Sequence, residues 1–125
     1  MILRKLSDII ATRRDVSWGN GQSRRFLLEK DGMGFALTDT VVNAGTESLL
    51  CYKNHMEACY CISGQGEVEI DGKIHPVTAG TMYAPDQYDE HYLRAKTEMR
   101  LICVFSPPLK GDEHHNLNNI AGSAY

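Results

Sequence analysis

Residues 53–91 decide the fold, and they read KNHMEACYCISGQGEVEIDGKIHPVTAGTMYAPDQYDEH. Strand-like runs alternate in this stretch with turns at Gly64, at Asp71-Gly72 and at Gly80. An Asp-Gly pair between two runs of alternating apolar residues is a strong signal for a two-residue β-hairpin. The stretch therefore predicts four consecutive strands joined by tight turns.

Further short strands are predicted on both sides of this stretch. They cover Ser23–Glu29, Phe35–Val41, His91–Arg94 and Met99–Phe105. No helical period of any length is present, and the N-terminus can form one short helical turn that we expect to cover a sheet edge. Many short strands at this spacing predict an all-β protein, with the strands antiparallel in a barrel or sandwich.

The composition is that of one soluble domain. The chain has 125 residues, a mass of 14.0 kDa and a formal net charge of -3, which excludes a strongly basic surface for nucleic acid. The N-terminus lacks the apolar core of a signal peptide, and no uncharged run reaches the roughly 18 residues needed to cross a bilayer. We expect a cytoplasmic protein with a small-molecule substrate and no nucleic-acid or membrane partner.

The cysteines are consistent with a reducing compartment. All four lie in apolar strand-like runs, where a free thiol packs as a small hydrophobe. Cys59 and Cys61 are two residues apart and share one face of a strand, so a metal site at this pair is an alternative. Structural zinc sites, however, usually space their cysteines by two to four residues.

The spacing of Glu57 and Gly64, followed by Gly72 and Gly80, resembles the two-motif core of the cupins, which are small jelly-roll barrels. Tyr83 stands where the second cupin motif has its histidine. The resemblance predicts a cupin-type jelly-roll barrel with its active site inside.

The cupin metal ligands are only partly present. Cys51 and Lys53 stand at the positions of the paired cupin histidines. Two alternatives follow: the metal site is lost, or it is rebuilt from Glu57, Tyr83 and a further residue, for which His91 is the nearest candidate.

At finer grain the chain resembles the ectoine synthase family from its first residue to about His115. Seven segments carry the resemblance: RDVS, SRRFLLEKDGMGF, AGTES, YKNHMEACYCISGQGEVE, GTMYAPD, HYLRAKTEMRLICVFSPPLKG and EHH. Members of this family are iron-dependent, dimeric cupins. They are hydro-lyases that close N-γ-acetyl-L-2,4-diaminobutyrate into the compatible solute ectoine with loss of water.

The resemblance also implies the site residues. The iron ligands of the family fall on Glu57, Tyr83 and His91. Its substrate-binding residues fall on Arg25, Thr40, Tyr52, Phe105, Glu113 and His115. Ring closure needs two proton transfers, and Tyr52, Glu113 and His115 are the candidates for them.

Some positions leave alternatives open. Arg25 suits a substrate carboxylate through its planar fork, but either Arg24 or Arg25 could be an exterior strand charge. The tryptophan that the family places just before the Ser-Arg-Arg segment is missing, with Gly21 near its position and Trp18 three residues earlier.

The end of the chain and the activity each allow more than one hypothesis. Residues 1–115 are predicted to form the barrel with a C-terminal lid, and residues 116–125 a divergent, flexible tail. Glu113-His114-His115 belongs either to that lid or to a frayed terminus.

The alternatives to ectoine formation are a related cupin that binds or hydrolyses another N-acetylated amino acid or cyclic amidine, and a non-catalytic small-molecule-binding cupin.

Overall fold

The computed structural model describes residues 1–118, 123 and 125 of the chain. One short helix, α1 (Leu6–Ile9), and one 3-10 turn, Glu29–Asp31, accompany ten strands. The strands are β1 (Asp15–Ser17), β2 (Gly21–Leu27), β3 (Ala36–Val42), β4 (Glu47–Leu50), β5 (Met56–Ser63), β6 (Gln65–Ile70), β7 (Lys73–Thr78), β8 (Met82–Tyr83), β9 (His91–Ala95) and β10 (Met99–Ser106).

The strands form two antiparallel sheets that face each other. The larger sheet has the order β1-β2-β3-β10-β5-β8, and the smaller has the order β4-β9-β6-β7. All described strand pairs are antiparallel. The predicted all-β architecture is confirmed.

Alternation along the central strands creates the interior. In β5, Glu57, Cys59 and Cys61 are buried while Met56, Tyr60 and Ile62 are exposed. Such a period of two turns one face of a strand toward the core. β10 follows the same rule, with Leu101, Cys103 and Phe105 inside, so the middle of the larger sheet lines the interior.

The central hairpin forms as predicted. Asp71 and Gly72 have φ of 50° and 74° and join β6 to β7. Both central residues of a type I′ turn need a positive φ, and Gly and Asp tolerate it best. The hairpin register places β7 at the edge of the smaller sheet.

Gly64 joins β5 to β6 at a point where two strands approach closely. Its φ is 91°, and a Cβ at this position would lie 2.1 Å from the carbonyl oxygen of Glu98. Only glycine both adopts this positive φ readily and leaves room for the Glu98 oxygen. This explains why glycine stands at the turn seven positions after Glu57.

Two short strands were not predicted. β1 spans three residues and β4 spans four, which is too short for an alternating pattern to stand out. β2 also begins earlier than predicted, at Gly21, because Trp18 N–H bonds to the Gly21 carbonyl oxygen and closes a hairpin with β1.

The outer face of the larger sheet carries a contiguous apolar patch. Leu37 and Val104 are cross-strand partners, as are Ile102 and Tyr60, and Tyr60 pairs in turn with Met82. Tyr60, Met82 and Val104 are all exposed. We call these five residues the outer apolar patch. In the part of the chain that the structure describes, no helix is long and apolar enough to span a membrane.

Candidate active site

A cavity opens between the two sheets, next to the inner face of β5 and β10. Its wall contains leucine and valine side chains together with a small group of polar and aromatic ones. The polar and aromatic members include Trp18, Thr40, Tyr52, Glu57, Tyr83 and His115. A mostly apolar cavity with few polar groups is typical of a small-molecule site.

Glu57 is the acidic group in this wall. Its side chain points inward from β5, is 7% exposed, and has an Oε1 atom without a hydrogen-bond partner. Burial raises the pKa of Glu57 to about 7, although the nearby Tyr52 hydroxyl and two thiols oppose the rise. An unpartnered buried carboxylate oxygen is costly unless a cation or donor is bound there.

His91 presents a second unpartnered atom. It opens β9 and is 1% exposed, and its Nδ1–H donates to the carbonyl oxygen of Asp89 at 3.0 Å. That bond leaves the lone pair on Nε2, which is buried without a partner. Burial lowers the pKa of His91, so its imidazole is neutral. Metal-binding histidines commonly have this arrangement, with the other ring nitrogen bonded to a carbonyl.

Tyr83 and Tyr52 complete this end of the cavity. Tyr83 lies in β8, which pairs with β5, and it is the direct cross-strand partner of Cys59. Burial raises the pKa of both phenols well above the ordinary value. The Tyr52 ring stacks on the His91 ring, with centroids 5.7 Å apart.

The donor groups of the three predicted ligand residues are of the kinds that bind metal ions. Two of the three, Glu57 and His91, have buried donor atoms that nothing in the described chain satisfies. Carboxylate, imidazole and phenolate are ligands that suit ferrous iron, and a metal charge favours the ionised phenol.

Arg25 lies inside the barrel and is fully buried. Its Nε–H donates to Ser23 Oγ at 3.1 Å, and its Nη2 donates to the Glu113 carbonyl oxygen and, at 2.7 Å, to the Tyr125 hydroxyl. Nη1 lies 3.5 Å from Glu113 Oε1 and has no hydrogen-bond partner. A buried guanidinium with a free N–H group can hold an anion.

Arg24 has the opposite orientation. Its Nε–H donates to the Asp39 backbone oxygen, and its Nη2 pairs with the Asp39 carboxylate at 2.9 Å. Asp39 also accepts from Arg100 on the outer side of the sheet. Of the two neighbouring arginines, Arg25 is therefore the interior one.

Glu113 is held as a carboxylate. It accepts the backbone N–H groups of Lys110 and Gly111 at 2.7 and 2.8 Å. Burial acts to raise the pKa of Glu113, but these two N–H groups and the charge of Arg25 bring it below its ordinary value. Its orientation is therefore fixed beside Arg25.

His115 closes one side of the cavity. Its backbone N–H donates to the Trp18 carbonyl oxygen, and its ring lies edge-on to Trp18 and to Tyr52. Burial lowers the pKa of His115 to about 3, with the charge of Arg25 contributing, so its imidazole is neutral.

Thr40 and Phe105 lie in the same wall. Phe105 is buried in β10 and meets the Tyr52 ring edge-on, and the Thr40 hydroxyl is 2.9 Å from that of Thr38. Six of the sequence-predicted residues line this cavity: Thr40, Tyr52, Glu57, Tyr83, Phe105 and His115. The other three lie outside its wall: His91 stacks on Tyr52 and lines a neighbouring pocket with Tyr83, and Arg25 and Glu113 pair with each other behind Tyr125.

Trp18 lines this cavity although it stands three residues before the position of the family's tryptophan. It is buried, and its Nε1–H donates to the Val41 carbonyl oxygen at 2.9 Å. Gly21 makes this possible, since a Cβ there would lie 3.0 Å from Trp18 Nε1 and 1.9 Å from the Val41 oxygen.

Three further residues were not predicted. His55 is buried, with Nδ1 2.7 Å from the Pro107 carbonyl oxygen and Nε2 3.8 Å from Glu113 Oε2. Ser123 Oγ lies 2.9 Å from His115 Nδ1. Tyr125 is the third. His55 lies two residues before Glu57 in the YKNHMEACY segment, and that position could have pointed to it. Nothing in the divergent polar tail points to Ser123 or Tyr125.

Tyr125 lines the same cavity. Its ring stacks on His115 with centroids 4.0 Å apart and packs against Tyr52 and Phe105. Its carbonyl oxygen accepts the backbone N–H groups of Lys53 and Asn54. Residues 119–122 and 124 of the predicted flexible tail lie outside the described residues.

Comparison with known proteins identifies relatives across nearly the whole chain. A family model described as ectoine synthase matches residues 1–123. The L-ectoine synthase of Halalkalibacterium halodurans is 53% identical over 118 residues, covering 93% of this chain and 92% of that protein. The L-ectoine synthase of Desulfatibacillum aliphaticivorans is 55% identical over 120 residues, with the same coverage of both chains.

Solved structures agree in fold. An ectoine synthase from P. lautus is 54% identical, with a TM-score of 0.85 over 89% of this chain and 81% of that one. An RmlC-like cupin from Shewanella frigidimarina is 21% identical, with a TM-score of 0.63 over 74% of this chain and 82% of that one. The second likeness concerns the fold alone, and it confirms the predicted cupin barrel.

Proposed function

Because this chain belongs to the ectoine synthase family, a family of hydro-lyases on the cupin barrel, we propose that it closes N-γ-acetyl-L-2,4-diaminobutyrate into ectoine with loss of water. We further propose that Glu57, Tyr83 and His91 hold one ferrous ion for this reaction. The observation that carries the proposal is the pair of buried, unpartnered atoms Glu57 Oε1 and His91 Nε2, of which the first lies in the cavity wall and the second belongs to a ring stacked on Tyr52 of that wall.

An amide carbonyl is a weak electrophile, so ring closure needs help at its oxygen. A divalent iron bound by these residues would supply a Lewis acid there. Beside the cavity, Arg25 would bind the substrate carboxylate through Nη1, which has no hydrogen-bond partner and lies 3.5 Å from Glu113 Oε1. Glu113 holds the guanidinium in that position through its neighbouring charge.

The aromatic wall favours dehydration. Trp18, Tyr52 and Phe105 are each no more than 5% exposed, so they surround the reacting centre with apolar surface. Exclusion of water strengthens the electrostatic contacts within the site and disfavours hydrolysis of the amidine product.

Two residues can bond to the groups that exchange protons. Burial keeps the Tyr52 phenol protonated, so it can donate toward the departing hydroxyl. His115 is neutral and can accept a hydrogen bond from the attacking α-amino group, while its pKa of about 3 makes it a weak proton acceptor. Glu113 is already bound by backbone N–H groups and serves to position Arg25.

The working form is proposed to be a homodimer in the cytoplasm that supplies ectoine against osmotic stress. The outer apolar patch supports the dimer, since apolar side chains on a flat sheet face are stabilised when a second copy covers them.

The test of the iron site is substitution of each ligand. Glu57→Ala, Tyr83→Ala and His91→Ala should each lower iron per subunit and reduce turnover of N-γ-acetyl-L-2,4-diaminobutyrate by about 100-fold or more, since even the loss of a residue supporting a ligand costs roughly 10- to 100-fold. His75→Ala, a change at an exposed histidine of β7, is the control and should keep iron and activity.

The assignment is wrong if all three ligand variants stay folded, retain the iron of the parent and still make ectoine. The same assay, run with homologous acyl-amines and with ectoine itself, separates the other activities. Turnover of another N-acetylated amino acid, or hydrolysis of the amidine, would replace the proposed reaction. Retained iron with no turnover of any of them would indicate a binding protein.

A further inference from the structure

Two thiols face each other in the wall of the cavity. Cys59 in β5 and Cys103 in β10 are direct cross-strand partners. Their sulfur atoms are 3.5 Å apart, and both residues are at most 2% exposed. Both also line the cavity, so their sulfurs are reachable by an ion that enters it.

The Glu57 carboxylate converges on this pair. Donor atoms of Glu57, Cys59 and Cys103 all lie within 4.8 Å of one another. Glu57 Oε1 is buried and has no partner. The cluster therefore combines two sulfur donors with one unsatisfied oxygen, all carried by the neighbouring strands β5 and β10 of the larger sheet.

The sulfur separation matches a metal-bound pair more closely than a disulfide. Two sulfurs bound at about 2.3 Å to one tetrahedral ion are about 3.8 Å apart. A disulfide would require about 2.05 Å. The observed 3.5 Å is a hydrogen bond from the Cys103 thiol to the Cys59 sulfur, and a metal ion could replace its proton with only a small change in the sulfur separation.

We propose that Glu57, Cys59 and Cys103 form a second metal site, selective for a thiophilic divalent ion such as Zn²⁺ or Cd²⁺. Thiolate ligands select such ions, whereas a carboxylate, imidazole and phenolate set lacks this preference. Binding releases the two thiol protons to solvent and leaves two metal–sulfur bonds. The fourth coordination position is open to a water molecule from the cavity.

The two metal sites exclude each other because they share Glu57. This consequence rests on the proposed iron site, but the thiol site itself does not. A thiophilic ion bound at the cysteines would occupy the Glu57 carboxylate and thereby displace iron. The pair would act as a point of zinc or cadmium inhibition within the barrel.

The experiment adds Co²⁺ and, separately, Cd²⁺ to the full-length metal-free chain. Cobalt bound by thiolates shows a near-ultraviolet charge-transfer band that oxygen and nitrogen ligands do not produce. We expect this band in the parent protein and its loss in Cys59→Val and Cys103→Val, together with an at least 100-fold weaker affinity for Cd²⁺.

Cys61→Val is the matched control. Cys61 is equally buried on the same strand, but its sulfur lies against the carbonyl oxygen of Ser63, so the band should remain. In a competition experiment, Cd²⁺ should displace Fe²⁺ from the parent at lower concentration than from Cys59→Val, because this soft ion depends on the thiolates.

The parent spectrum alone can overturn the proposal, whatever the stability of the variants. If saturating Co²⁺ gives no thiolate band, the cysteines are not ligands. If cobalt binding without that band is lost in His91→Ala, the ion has entered the proposed iron site, which leaves the proposed function standing and removes the second site.

Discussion

Arg24 and Arg25 are neighbours in β2, yet their guanidinium groups lie on opposite sides of the larger sheet. Arg24 pairs with Asp39, while Arg25 contacts Ser23, Glu113 and Tyr125. Side chains alternate strictly along a strand, so one step in register decides which arginine faces the cavity. The two residues are chemically identical, and the sequence alone left both assignments open.

This difference in orientation predicts different effects of the same substitution. Arg25→Lys keeps the charge but loses the planar fork that binds Ser23, Glu113 and the substrate carboxylate together, so we expect a KM increased roughly tenfold or more, equivalent to about 1.4 kcal/mol. Arg24→Lys should leave KM unchanged. Steady-state kinetics on both variants checks this, and an equal effect of the two would place the carboxylate elsewhere.

The candidate site could be predicted for residues to which the family assigns a role and was missed for residues that long-range contacts bring to the site. Glu57, Tyr83 and His91 stand at spacings typical of a family, so their positions could be read directly. His55 has its role through a contact with Glu113, 58 residues away, which no local pattern encodes. The carboxylate is nearby only because the chain returns after β10.

At the scale of elements, two glycine turns allow the effect of a positive φ to be distinguished from the effect of a close backbone contact. Gly64 and Gly80 have nearly equal φ values of 91° and 94°, but only Gly64 has a backbone oxygen 2.1 Å from the position of a Cβ. Both changes to alanine should cost roughly 1 kcal/mol for the left-handed conformation.

Gly64→Ala should cost more, because β5 and β10 must separate near Glu98 to admit the methyl group. We expect it to be destabilised by at least about 2 kcal/mol more than Gly80→Ala. Urea denaturation of both variants gives the two free energies of unfolding. Equal losses would mean that the strand ends adjust freely and that φ alone requires glycine at residue 64.

Whether a strand could be predicted depended on its length and on the turn residues at its ends. The β6–β7 hairpin has six residues on each side of its turn and matched the prediction. β4 has four residues, Glu47–Leu50, and pairs with β9, some 45 positions later in the chain. A strand of that length is stabilised by its distant partner, and no local preference reveals it.

At the scale of the whole molecule, the two sheets have different outer faces. The outer apolar patch lies on the larger sheet, while the smaller sheet carries the ion pairs of Arg94 with Glu47, Glu67 and Glu69. Charged faces remain in water at little cost, whereas exposed apolar strands favour association.

The proposed dimer should therefore depend on the larger sheet. Val104→Lys places a charge in the outer apolar patch and is expected to give a monomer by light scattering at micromolar concentration. Ile74→Lys changes an exposed apolar residue of β7 on the other sheet and should leave the dimer intact. A parent protein that is already a monomer, or a monomer from the β7 change alone, would contradict this.

The Tyr125 ring has a consequence for the thermodynamics of binding. The ring lines the cavity and contacts His115 and Phe105, and its hydroxyl accepts from Arg25. We therefore expect substrate to displace this side chain when it binds. Little additional apolar surface leaves water when one occupant replaces another, and the heat capacity of binding follows that surface. Calorimetry should thus find a heat-capacity change near zero for the parent and a clearly negative one for Tyr125→Ala.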